Sequence, residues 1–166
     1  MPPNLKEILP SAFSPKSRVW IYQSNRRFLD TESITIQSTL SQFSANWKSH
    51  GDPLKGFATL LLNQFIIIMA DEALTQVSGC STDSSVKMIK ELEQSLGVEL
   101  FNRTNLSFLI NDKVQTIPMV HLSPAYKNKL IGPDTLYFNN TILTKSELEE
   151  NWIIPIKNSW LYQKIV

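Results

Sequence analysis

FATLLLNQFIIIMA, residues 57 to 70, is the most apolar stretch of the chain and anchors its architecture. Two apolar runs, Phe57 to Leu62 and Phe65 to Ala70, are separated by Asn63-Gln64. Each run has the length and residue types of a strand, and the polar pair between them reads as a tight hairpin. The second run is apolar enough to be a central strand. The stretch is interrupted and too short to cross a bilayer.

Upstream, Arg18 to Ser24 (RVWIYQS) is rich in β-branched and aromatic residues and predicts a first strand. Asp30 or Thr31 then caps a helix whose apolar positions Ile36, Leu40, Phe43 and Trp47 recur at helical spacing. His50-Gly51-Asp52-Pro53 stops it. Downstream, Val86, Ile89, Leu92 and Leu96 share one face of a second helix, closed by Gly97 with Val98 just beyond. Leu106 to Ile110 and Val114 to Met119, joined at Asn111-Asp112, predict a second hairpin.

The order is therefore strand, helix, strand, strand, helix, strand. It predicts an α+β fold with a ferredoxin-like βαββαβ core: an antiparallel sheet with two helices on one face. The first and third strands are expected side by side and parallel. The second hairpin adds an extra strand. A helical C-terminal extension follows, with a short helix at Pro124 to Leu130 before the Gly132-Pro133-Asp134 turn, a short strand at Thr135 to Phe138 and a helix from Lys145 to about Trp152, opened by the capping pattern Thr144-Lys145-Ser146-Glu147. Residues 1–17 read as a proline-rich arm and 18–166 as a single domain, with core 18–119 and extension 120–166.

At 166 residues, with 42% hydrophobic and 19% charged side chains, the chain suits one globular domain. Sixteen basic against fifteen acidic residues leave a formal net charge of +1, which supplies no broad field for nucleic acid or anionic lipid. One cysteine forms no internal disulfide, and the first residues lack the basic and apolar regions of a signal peptide, so a cytoplasmic location is expected.

Chemistry-bearing residues concentrate at Gly79-Cys80-Ser81-Thr82-Asp83-Ser84-Ser85, where a helix begins and backbone N–H groups lack intrahelical partners. Such a segment suits an anion or a sharpened thiol. If the first and third strands are parallel, the loops Asn25 to Asp30 and Asp71 to Ser85 meet at one edge. Arg26 and Arg27 then face Cys80 and its neighbouring hydroxyls, and Arg26, Arg27, Asp71, Cys80, Ser81, Asp83 and Ser84 become the candidate ligand-binding set. Cys80 is the one candidate nucleophile. The structural alternative is simpler: Ser81 or Thr82 caps the helix, Asp83 complements its dipole, Cys80 is a small buried apolar residue, and the arginines pair with Asp71 and Glu72.

A nucleophilic cysteine needs a base, and only His50 and His121 are present. The expected topology puts His50 at the opposite edge of the sheet from Cys80. Gly51-Asp52-Pro53-Leu54-Lys55-Gly56 has P-loop glycine spacing, but Phe57-Ala58 replaces the required lysine and hydroxyl. One cysteine and two separated histidines provide no metal-ligand spacing, and no cofactor fingerprint is present. The four tryptophans Trp20, Trp47, Trp152 and Trp160 read as core or interface residues rather than a stacking platform.

The stretches SRVWIYQSNRRF, NWKSHG, SGCSTDSSVKMIKELEQSLGVELFNR, FNNTILTKSELEENW and PIKNSW resemble a small uncharacterised bacterial family whose members often carry the label "ABC transporter ATPase". The resemblance spans most of Arg18 to Trp160 and implies no catalytic residues. The chain lacks a complete Walker A motif and the ABC signature, so its residues do not support that label. The expected function is a non-enzymatic module that binds a small anion or a protein partner, with a homodimer fitting by analogy. The alternatives are a small acyl- or phosphoryl-transfer enzyme using Cys80, and a structural oligomer subunit using the apolar tail.

Overall fold

In the computed structural model, which describes residues 1–166, a short helix α1 (Leu5–Ile8) precedes β1 (Arg18–Gln23) and the long helix α2 (Asp30–Asn46). A small ribbon, β2 (Lys48–Ser49) and β3 (Asp52–Pro53), leads into the hairpin of β4 (Lys55–Leu61) and β5 (Phe65–Asp71). Helix α3 (Gly79–Leu96) is followed by the hairpin of β6 (Asn105–Ile110) and β7 (Lys113–Pro118). The last third holds α4 (Leu122–Lys127), β8 (Leu136–Phe138), α5 (Lys145–Asn151), β9 (Ile153–Pro155) and α6 (Tyr162–Ile165).

The fold is α+β with antiparallel sheets. The first sheet has the order β1-β5-β4. Ile66, Ile68 and Ala70 of β5 pack with Ile36 and Leu40 of α2 and Ile89 and Leu92 of α3, so both helices cover one face, as their apolar spacing requires. The other face, carrying Phe65, Ile67 and Met69, packs against Phe138, Ile142, Leu148 and Trp152. A second sheet, β7-β6-β8-β9, lies on that side, and its far face packs Leu106 and Phe108 against Leu122, Leu161 and Ile165 of the closing helices and turns. The layers are therefore helices, sheet, sheet, helices.

Local signals behave as their chemistry dictates. Gly97 adopts φ 60°, and both its N–H and that of Val98 donate to Glu93 O, closing α3. Asn111 and Asp112 both take positive φ, forming the two-residue turn of β6 and β7. In the first hairpin the positive-φ pair is Leu62-Asn63, and Gln64 N–H donates to Leu61 O at 3.1 Å. The turn thus sits one residue earlier than Asn63-Gln64. The Thr144 hydroxyl accepts from Glu147 N–H at 3.2 Å, opening α5.

Two expectations are corrected. Strands β1 and β5 are side by side but antiparallel, with Arg18 opposite Ala70 and Gln23 opposite Phe65. The reason is the crossover: α2 returns the chain so that β4 runs parallel to β1 two places away, and the tight hairpin then brings β5 back between them. The expected fourth strand, β6, pairs with β7 and β8 rather than joining β1. Its place beside β1 is taken by the segment before α5: Val19 N–H donates to Leu143 O at 2.9 Å and Lys145 N–H to Ser17 O at 2.9 Å. The ferredoxin-like order is therefore not completed.

The expected N-terminal arm lies against the body. Leu5 and Leu9 are buried in the core shared by the two sheets, and Lys145 Nζ donates to Pro10 O and Phe13 O at 3.0 Å each. The apolar tail is likewise internal, with Trp152 and Leu161 fully buried.

Phe65 tests how far the two sheets share one core. Its ring stacks on Phe138 at 4.7 Å between centroids and meets Trp152 edge-on at 5.2 Å. Phe65→Ala is expected to lower unfolding free energy by about 3–5 kcal/mol in urea denaturation followed by circular dichroism. An unchanged midpoint would show that the sheets are held independently.

Candidate functional site

The antiparallel pairing of β1 and β5 divides the expected site. The loop Asn25 to Asp30 leaves one end of the sheet and Asp71 to Ser85 leaves the other, separated by the length of a six-residue strand, roughly 20 Å. Arg26 and Arg27 therefore do not meet Cys80.

Helix α3 starts earlier than its sequence suggests. Ser78 is the cap: its hydroxyl accepts from Ser81 N–H at 3.2 Å, and Ser81 Oγ accepts from Ser78 N–H at 2.7 Å. The Thr82, Ser84 and Ser85 hydroxyls donate to carbonyls of the preceding turn, at Ser78, Ser81 and Thr82 respectively. Ser81 and Ser84 thus support the helix. With the start at Gly79, Asp83 lies beyond the first turn and is exposed. Cys80 is exposed too, contrary to the reading of it as a buried apolar residue.

Cys80 lines an open cleft with Ser84, Trp47, Lys48 and His50. Trp47 Nε1 donates to Ser81 O at 2.9 Å, tying the end of α2 to the start of α3. The β2–β3 turn that carries His50 at φ 51° follows directly. Because β5 runs opposite to the expected direction, its C-terminal end reaches the end of α2. His50 therefore shares a cleft with Cys80 instead of lying across the sheet from it.

Arg26 and Asp71 are structural. Arg26 donates to both Glu32 oxygens at 2.9 Å each and to Leu96 O at 3.1 Å, bracing the β1–α2 loop against the end of α3. The Arg26 hydrogen bond, helped by Leu29 N–H, pulls the Glu32 carboxyl down to about 2. Asp71 is only 4% exposed. It accepts from Ser14 N–H and Ala73 N–H at 3.0 Å each and from Lys55 Nζ at 3.3 Å. The Ser14 N–H is the main cause holding the Asp71 carboxyl below its ordinary range.

Arg27 is different. It lines a cleft of about 340 Å³ with Leu62 and Gln64 of the first hairpin and Leu109, Lys113 and Val114 of the second. Neither Arg27 nor Lys113 has a carboxylate within ion-pair distance, and the cleft's one acid, Asp112, contacts the Met1 ammonium at 3.0 Å. Two cations without acidic partners stand over an apolar floor of Leu62, Leu109 and Val114. Gln64 fixes the back: buried at 4%, its Nε2 donates to Ser24 O and Thr116 Oγ1 at 3.1 Å each. Sequence reasoning missed Lys113 and the floor because only the packing of the two hairpins brings them to Arg27.

No group of three or more His, Cys, Asp or Glu side chains is placed to hold a metal, and no helix is long and apolar enough to cross a membrane. Comparison with known proteins returns no matching family model, no matching curated relative and no matching solved structure.

The network at Asp71 has a pH signature. Its folded-state carboxyl titrates below the unfolded value, so its stabilisation is present above about pH 4 and lost as pH falls through the lower folded value. Asp71→Asn is expected to cost about 1–3 kcal/mol at pH 7, in urea unfolding, by weakening three hydrogen bonds to a charged acceptor. The difference from wild type should shrink steadily below about pH 4. A pH-independent difference would mean the carboxylate charge plays no part.

Proposed function

We propose that this chain is a non-enzymatic binding module whose ligand is an organic anion with an apolar portion, held at the sheet end that carries Arg27. The observation that supports it is the pairing of two uncompensated cations, Arg27 and Lys113, with the floor of Leu62, Leu109 and Val114. An anionic group would take charge-assisted hydrogen bonds from the cations while its hydrocarbon part leaves water on the floor. This reading keeps the anion-friendly edge at 25–30 and drops 71–85 from it. Membership of the bacterial family that the sequence resembles and a cytoplasmic setting belong to the same proposal; neither supplies a substrate. The structural-subunit alternative needs a free apolar tail, and the burial of Trp152, Leu161 and Ile165 weighs against it.

Titration with hexanoate, followed by amide chemical shifts, tests the proposal. Saturable shifts are expected at Leu62, Leu109 and Val114, and Arg27→Ala with Lys113→Ala should weaken binding at least about tenfold. Shifts scattered over the surface, or an affinity indifferent to the double substitution, would remove this site.

One observation favours a second reading, acyl or phosphoryl transfer at Cys80. The thiol is exposed, and its cleft holds His50 as a base and Lys48 as a cation. In that reaction the Cys80 thiol loses its proton to His50, and the sulfur attacks the acyl carbon or phosphorus as the leaving group departs. Iodoacetamide modification of the single cysteine, run across pH in wild type and His50→Ala, separates the two readings. Enzyme chemistry requires a rate advantage that disappears with His50→Ala, and superimposable profiles leave the binding module alone.

A further inference from the structure

A second pocket opens where β1, β6 and β8 come together, and it has no part in the proposed function. It encloses about 90 Å³, and its lining contains no Asp or Glu and one charged residue, Arg103. The Arg103 guanidinium has neither a carboxylate within ion-pair distance nor a hydrogen-bond acceptor in the protein, in contrast to Arg26 and its bidentate Glu32. Tyr137 forms part of the wall. It is buried, and burial pushes its phenol up to about 12, so it brings no negative charge to the pocket.

The polar back wall is cross-linked by hydrogen bonds. Gln23 Nε2 donates to Asn105 O at 3.1 Å, Asn140 Nδ2 donates to Gln23 Oε1 at 3.0 Å, and Trp152 Nε1 donates to Asn140 Oδ1 at 2.9 Å. These amides satisfy one another. The Arg103 guanidinium and the Asn105 side-chain amide are left without protein partners. Trp160, 39% exposed, stands at the pocket with the Lys164 ammonium 5.5 Å from its ring centroid.

Volume and charge narrow the ligand. The pocket's space of about 90 Å³ is smaller than the ~150 Å³ cavity that takes one benzene ring, which suits an acid group with one or two carbons rather than a sugar or a nucleotide. A single guanidinium among neutral amides balances one negative charge. A planar monoanion also matches the guanidinium fork in two parallel hydrogen bonds.

We infer that this pocket is a receptor for one carboxylate group, gripped by Arg103 and Asn105, with the rest of the ligand leaving past the Trp160 indole. The carboxylate belongs either to a small free acid or to the C-terminus of a peptide, and both present the same group to Arg103.

Titrations with acetate, N-acetyl-Gly-Gly and its C-terminal amide, monitored at the Trp160 indole N–H and the Arg103 Nε–H by NMR, decide the matter. Saturable shifts with acetate or the free-acid peptide, and none with the amide, are expected. Equal affinity for acetate and peptide assigns free acids; a peptide about tenfold tighter assigns chain termini. Arg103→Gln should weaken binding about tenfold or more, and Asn105→Ala should weaken it by less. The pair Arg27→Ala and Lys113→Ala should leave it unchanged, so failure here is distinct from failure of the cleft at Arg27. Linear shifts without saturation, equal binding of the amide, or an affinity unaffected by Arg103→Gln would overturn the inference.

Discussion

Strand β5 is buried at all seven residues from Phe65 to Asp71, and the rest of the fold answers to that constraint. Alternate side chains point to opposite faces, so Ile66, Ile68 and Ala70 need one cover and Phe65, Ile67 and Met69 need another. Each large aliphatic or aromatic side chain taken fully from water contributes roughly 1.5–3 kcal/mol, so neither face can be left open. Helices α2 and α3 supply one cover. The second sheet supplies the other, and the Phe65, Phe138 and Trp152 rings lock it in place.

A sheet packed on a sheet traps polar groups between them, and buried polar groups must find partners. Gln64 reaches Ser24 O and Thr116 Oγ1, and Thr116 in turn pairs with Ser107 at 2.9 Å. Gln23, Asn140 and Trp152 form a second chain of bonds. These bridges have directional partners on both sheets, so they pin the relative position that apolar packing alone leaves less defined. The cleft at Arg27 and the pocket at Arg103 each open beside one of these bridges. Both arginines lack acidic partners, whereas Arg26, one residue before Arg27, is fully occupied by Glu32 and Leu96 O.

Short-range chemistry was legible in the residues. Asn111-Asp112 marks its hairpin because both positions need positive φ, and Gly97 marks the end of α3 for the same reason. Thr144 and Glu147 mark the start of α5 through bonds within one turn. The α3 cap was misplaced because Ser78, Ser81 and Thr82 all have capping hydroxyls. Ser78 is the one whose hydroxyl and N–H both meet Ser81. The candidate site was less legible still. Grouping Arg27 with Cys80 depended on a strand direction, and adjacent residues carry no information about which way a distant strand runs.

Periodicity and turn chemistry act over a few residues, so the residues alone mark the long helices α2 and α3, the helix α5, the two hairpins, the central position of β5 and the α+β class, but not the short helix α6 or the caps of α2 and α3. Long-range packing makes β1 and β5 antiparallel and puts Leu143 to Lys145 rather than β6 on the free edge of β1. The same packing brings His50 into a cleft with Cys80 and Lys113 into a cleft with Arg27. A strand edge offers the same N–H and C=O groups to any extended segment that reaches it. Which segment arrives is settled by what else must be buried along with it.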